Sequence, residues 1–544
     1  MKSAPFTTSI RRCTLFLTAL CTTALPAAGA PGGQDTATRE FQRTLTLGAG
    51  QTFSVEHKFG EVRIHSEGGR EVKINANIRA QAGSQAEAEK FADQIRIEVS
   101  QDTQGIKVKT VYPDDSSGIV LRIHKSRSYS VDYDIAVPGD TKLWIKNGFG
   151  NVDIRGVHGW ADVENSHGQL VLRDGGAMKL TNSFGSVEAS GAEGSVTVAN
   201  NNGSVAVSTV KGAVDVKDRF ASITPSNVQG AATISGGNGS VELTDAGTST
   251  VNNSFGSVNV RNIHGTLNVN NNNGAIDVTT VSGSASLNGS FGSINFSNVN
   301  GSVKCTATNG KVQGGPTGDE VYVKTSFGEV ALERINGAVE VEDSNGNINV
   351  REIKGKGTFN TSFGSIEASG LPKGVRATTG NGHIELRDVG GDAFAKTSFG
   401  SVSVQRVNGN LTIENSNGPV TASSVKGDAA ARTSFGSVTL EEIAGTITVD
   451  NQNGTVVLSS PRTAAACKNI TAKTSFAPMQ VRIPEGAGYN VTAHTSFGHI
   501  STELPITSSG QMGGDSLSGK IGNGGCTLSL TNSNGNIEIL KHSK

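Results

Sequence analysis

The side chains able to do chemistry are few and scattered. His158 and His167 stand nine residues apart, and His494 and His499 flank a Phe-Gly pair, but neither pair has a third ligand in sequence. Zinc sites need three or four His, Cys or carboxylate ligands, so all four histidines read as surface residues. Glu342-Asp343 and Glu441-Glu442 are the acidic pairs a glycosidase or lyase would need. They recur at regular places of a repeat, as solvated residues would. Gly236-Gly237-Asn238-Gly239-Ser240-Val241 comes nearest to a calcium-binding nonapeptide. Val241 stands where the Asp ligand belongs, and neutral Asn amides replace the carboxylates that calcium requires. No serine or cysteine nucleophile motif is present. The sequence therefore offers no catalytic, cofactor-binding or metal-binding residue, calls for no cofactor and describes a non-enzyme.

The elements that carry these residues repeat on a nine-residue clock. Stepping by nine from Gly256 to Gly454 visits 23 positions, of which 21 are Gly. In Gly256-Ser257-Val258-Asn259-Val260, apolar residues fall at the second and fourth places after Gly, and Ile263 precedes the next Gly. Alternation of this kind marks a half-buried strand, and Gly and Asn suit the corners between strands. One such strand cannot bury its apolar face alone, so the units must stack. The expected fold is all-β: an elongated β-solenoid of nine-residue strand units, about 18 residues per coil, with a small β-rich N-terminal cap carrying one helix. A stack of hairpins would show the same period.

A longer period lies over the first. Phe149, Phe184, Phe220, Phe255, Phe291, Phe327, Phe363, Phe399 and Phe435 recur every 35 or 36 residues, mostly as Ser-Phe-Gly-Ser, with Asn-Gly motifs midway. The favoured placement for these rings is the core, since a dozen exposed Phe in a row would invite aggregation. On the surface they would form a row about 10 Å apart, twice the strand spacing, suited to stacking on sugars.

The 544 residues carry a net charge of −1, with 17% charged residues and 5% aromatic. That balance excludes a nucleic-acid partner. Lys2, Arg11 and Arg12, an apolar stretch from Cys13 to Leu20, and small residues at 27–30 form a signal peptide over residues 1–29. No later segment has the 18 apolar residues of a membrane span. The expected organisation continues with a linker at 30–40, an N-terminal β-rich cap at 41–145, the solenoid array at 146–460 and divergent repeats closing the other end at 461–544. A helix is expected near Gln85–Gln94, with Ser84 and Glu87 as a capping box. Of the cysteines left after processing, Cys305 takes the place of an inward Val, and Cys467 and Cys526 could pair.

Tyr133-Asp134-Ile135-Ala136-Val137-Pro138-Gly139, leading into Leu143-Trp144-Ile145-Lys146-Asn147-Gly148-Phe149-Gly150-Asn151-Val152, resembles the adhesin-type "toastrack" domain of bacterial envelope proteins. The resemblance implies an exported β-repeat protein in adhesion or envelope stress, and brings no catalytic residue with it. The function expected is a structural or adhesive envelope component, exported to the periplasm, cell surface or beyond. It would bind a cell-surface polysaccharide or an envelope protein through many weak contacts. The alternatives are a carbohydrate-active lyase or glycosidase on a β-helix, and a scaffold for envelope-stress signalling.

Overall fold

The computed structural model describes residues 35–113, 127–463, 466–508 and 513–542. The segment read as a signal peptide lies outside them. The described residues form an all-β solenoid of about 18 turns with ~18-residue coils, one helix and a β-rich N-terminal region. Strands from successive turns pair in parallel with an 18-residue offset, which selects coils over hairpins. Val258 lies beside Ile276, which lies beside Ile294. In the facing sheet, Leu267, Ala285 and Val303 form the equivalent column.

The core is a thin double layer of Val, Ile, Leu and Ala from these columns. Burial follows the sequence alternation: in Val258–Ile263, Val258, Val260 and Ile263 are buried and the residues between them are not. Each fully buried aliphatic side chain contributes about 1.5–3 kcal/mol, and only stacking supplies that burial. Cys305 fills one of these inward places and is completely buried. Where a large residue enters, a small one faces it. Phe296 is buried, and a Cβ added to Gly314 on the next turn would lie 2.0 Å from its Cζ.

The glycine clock follows from the stacking distance. At Gly256, φ is +111°, and a Cβ would lie 2.3 Å from the carbonyl oxygen of Gly239 one turn earlier. Backbones at the corners approach closely, and glycine recurs at nearly every turn, with Ala221 and Ala477 as exceptions.

Both ends depart from the parallel pattern. At the N-terminal end, Asp35–Thr46 pairs antiparallel with Glu71–Ala82, which pairs antiparallel with Ser128–Pro138. The first of these strands begins within the 30–40 stretch read as a linker. The helix Gln85–Gln94 has Ser84 as its N-cap, whose Oγ accepts a bond from the Glu87 N–H, and it buries Ala88, Phe91 and Ala92. At the C-terminal end, chain order and spatial order diverge. Cys526–Asn534 pairs on one side with Ile470–Phe476 and on the other with Tyr489–Phe497. Ile537–His542 likewise lies between Met479–Pro484 and Ile500–Thr502. The final turn is thus inserted beneath the turn that precedes it in sequence. Cys467 and Cys526 form a disulfide at its entrance, with Cα atoms 5.8 Å apart.

Candidate functional site

The phenylalanines are on the outside. Phe149, Phe184, Phe220, Phe255, Phe291, Phe327, Phe363, Phe399, Phe435, Phe476 and Phe497 are 43% to 76% exposed, which overturns the core placement expected from sequence. Eight of the eleven rings end a strand, Phe220, Phe327 and Phe363 lie just past one, and each stands two residues after an inward position. By strict alternation the ring would point inward too. The corner already holds a buried polar side chain, however, and the ring is turned out.

At every ring but Phe291, which follows Gly289, the residue two before supplies that side chain. Asn182, Asn253, Thr397, Thr433, Thr474 and Thr495 are all at most 5% exposed. The Asn182 Nδ2 donates to the carbonyls of Gly185 at 2.8 Å and Gly168 at 3.2 Å. The Thr397 Oγ1 donates to the Gly382 carbonyl at 3.1 Å. Corner carbonyls pointing into the stack must find donors, because leaving one unpaired costs about 1–3 kcal/mol. A phenyl ring has none to offer.

Register sets the rings in one column with asparagines between them. Asn238 lies beside Phe255, Phe255 beside Asn273, and Asn273 beside Phe291. The alternation runs through Asn417, Phe435, Asn453 and Phe476 to Asn534, which lies beside both Phe476 and Phe497. Rings two rungs apart are about 10 Å apart. At the N-terminal end the slots are filled. His167 stacks between Phe149 and Phe184 at 4.4 and 4.9 Å, within 13° of parallel, and Phe59 stacks on Phe149 at 5.3 Å. The rings there face along the rod, and one slot holds one planar group.

Beside this end lies a buried polar cluster. The His57 Nδ1 is 3.1 Å from both the Thr110 Oγ1 and the Tyr112 hydroxyl, and Thr110 is 2.6 Å from the Tyr133 hydroxyl. Burial pushes the His57 pKa down to about 4 and that of Tyr133 up to about 12.

The other sequence candidates do not converge. His158 lies 3.6 Å from Glu193 at a different corner from His167, so the nine-residue spacing separates the two. His494 and His499 share no cluster, and among the described residues no three His, Cys, Asp or Glu side chains are placed to hold a metal. Glu342 pairs with Lys324 at 3.1 Å. Asp343, read as a solvated position, is instead buried in the corner column, where its Oδ1 accepts from the Asn345 N–H and desolvation raises its pKa. Glu441 and Glu442 are on the outer face. Asn238 of the calcium-like stretch stands in the ring column, beside Phe255.

Residues 316–540 match the family model described as Toastrack DUF4097. The match spans the C-terminal portion of the array, including six turned-out rings from Phe327 to Phe497. A crystal structure of a cell adhesion protein candidate from Clostridium sporogenes ATCC 15579 aligns at 6% identity. The alignment covers 93% of this chain and 100% of that one, with a TM-score of 0.13, too low to bear on fold or function. No curated protein matches the chain. Among the described residues, no helix is long and apolar enough to cross a membrane.

Proposed function

We propose that this protein, whose residues 316–540 match the Toastrack family model, is an exported, non-enzymatic structural or adhesive component of the cell envelope. It engages a repetitive glycan or protein partner through many weak contacts along the phenylalanine column. The carrying observation is the column itself: eleven exposed rings, mostly spaced by two rungs on one edge of a rod. Monomeric proteins rarely expose so much aligned apolar surface without a use for it. Identical sites on a stiff support convert weak single contacts into strong joint binding when the partner repeats as well. The location follows from the leader-like first 29 residues: periplasm, cell surface or medium.

Deletion of the array in blocks of 36 residues provides the test. Retention on cell-wall glycan or on isolated envelopes should decline steadily with each block removed. Abrupt loss on removal of one particular block would show a unique site and contradict a distributed one.

A further inference from the structure

We infer that the partner of the column is a second copy of this chain, packed antiparallel so that the rings of each rod enter the slots of the other. The inference rests on the proposed role of the column as the binding surface, and it names the occupant.

The slot geometry leads to it. Rings two rungs apart leave a gap of about 10 Å, and a ring placed midway would lie about 5 Å from each neighbour, inside the range of aromatic stacking. The chain demonstrates that occupancy itself, because His167 sits between Phe149 and Phe184 at 4.4 and 4.9 Å. From Phe184 to Phe497 the slots hold asparagines instead, as at Asn273, Asn309 and Asn417. A glycan laid along the row would meet ring edges if those rings face along the rod as the stacked ones do. A group entering between rings meets their faces.

A second copy has the required spacing by construction. An antiparallel pair related by a two-fold axis can shift by one rung, so that every ring faces an asparagine. A parallel two-fold pair would set ring against ring. The flanking residues put no like charges in the way: most rings are preceded by Ser and followed by Gly-Ser, as at Phe255, Phe291, Phe399 and Phe435. Area also suffices. A buried Phe covers about 150–250 Å², so ten half-exposed rings offer about 1,000 Å² per chain, against the roughly 800 Å² per partner of a stable interface. His167 selects the register, since sliding the pair until Phe497 faces that slot would meet an occupied place. The remaining one-rung offset sets Phe435 of one chain against Asn273 of the other.

The test is sedimentation of the purified chain with two opposed sets of variants. The wild-type chain should be dimeric at micromolar concentration. Phe327→Ser, Phe363→Ser and Phe399→Ser together should shift it to monomer with an unchanged melting temperature. Asn309→Phe, Asn345→Phe and Asn381→Phe should also give monomer: they make the edge more apolar but fill the slots as His167 does. The double variant Asn273→Cys with Phe435→Cys should form interchain disulfides on mild oxidation, because those positions lie about 40 Å apart, nine rungs, within one chain. A dimer that survives the serine set, or tightens with the slot-filling set, overturns the inference. A monomeric wild type whose glycan retention falls in the serine set overturns it too, while leaving the proposed function standing with a glycan partner. If glycan and envelope retention also ignore both sets, the proposed function fails with it.

Discussion

Asn415 shows how the corners work and how they can be broken. Its side chain is 6% exposed, and its Nδ2 donates to the carbonyls of Gly400 and Gly418 at 3.0 Å each, while its Oδ1 has no partner. Asn415→Leu keeps the branching of the side chain and removes both donors. Two unpaired carbonyls cost about 2–6 kcal/mol, and relief of the orphaned Oδ1 offsets some of that, leaving a net loss of about 2–3 kcal/mol. Thr397 caps a single carbonyl from the same column one turn earlier, so Asn415→Thr should lose about half as much. Repeat arrays need not unfold in one step, which makes native-state hydrogen exchange of residues 411–425 a better assay than a global melting curve. The expected order of local opening free energy is wild type, then Thr, then Leu. A leucine variant within about 0.5 kcal/mol of wild type, or a threonine variant below leucine, would refute the claim that buried donors hold the corners.

Three further outcomes follow from the same packing. Burial raises the Asp343 pKa above its unfolded value, so folding favours the protonated form. Its destabilisation is absent at low pH and develops as pH rises above the unfolded value of about 4. Asp343→Asn should therefore gain about 1 kcal/mol at neutral pH and flatten that slope in pH-dependent exchange, and identical slopes in the two proteins would contradict the burial argument. Gly314→Ala should cost about 1–3 kcal/mol by forcing a methyl against the Phe296 ring, and Phe296→Val should recover most of it in a double-mutant cycle. A lack of coupling in that cycle would mean the two residues do not share the space. The Cys467–Cys526 bond closes a 59-residue separation, so replacing both with Ser should destabilise the inserted final turn by about 4 kcal/mol. Limited proteolysis should then release residues near 526–542, and unchanged protection would show that the insertion holds without the bond.

The period was legible because its cause is local and repeated. A glycine without a Cβ at nearly every corner leaves a mark at nearly every turn, as at Gly256 against Gly239, and Val258, Val260 and Ile263 declare their faces by alternation. The rings were misplaced because an exposed row of Phe was judged an aggregation hazard. Alternation holds within a strand and ends at a corner, and the polar residue two places before every ring but Phe291, such as Asn253 before Phe255 or Thr433 before Phe435, was the available sign that the interior was already taken. Asp343 was misjudged for a related reason, since it stands at the position Thr361 occupies one turn later and inherits its burial. The inserted final turn left no local mark, because Leu528 and Leu530 alternate like any other repeat strand. Its only trace was the pairing of Cys467 with Cys526.

The direction of the rings is the claim on which the rest turns. Hydroxyl-radical footprinting of the chain, at a dilution where it sediments as monomer, reads that direction residue by residue. Phe255, Phe291, Phe399 and Phe435 should oxidise at close to the rate of an unprotected phenylalanine, and Phe53, Phe296 and Phe359 should be strongly protected. Equal protection of the two groups would return the rings to the core and remove the binding edge.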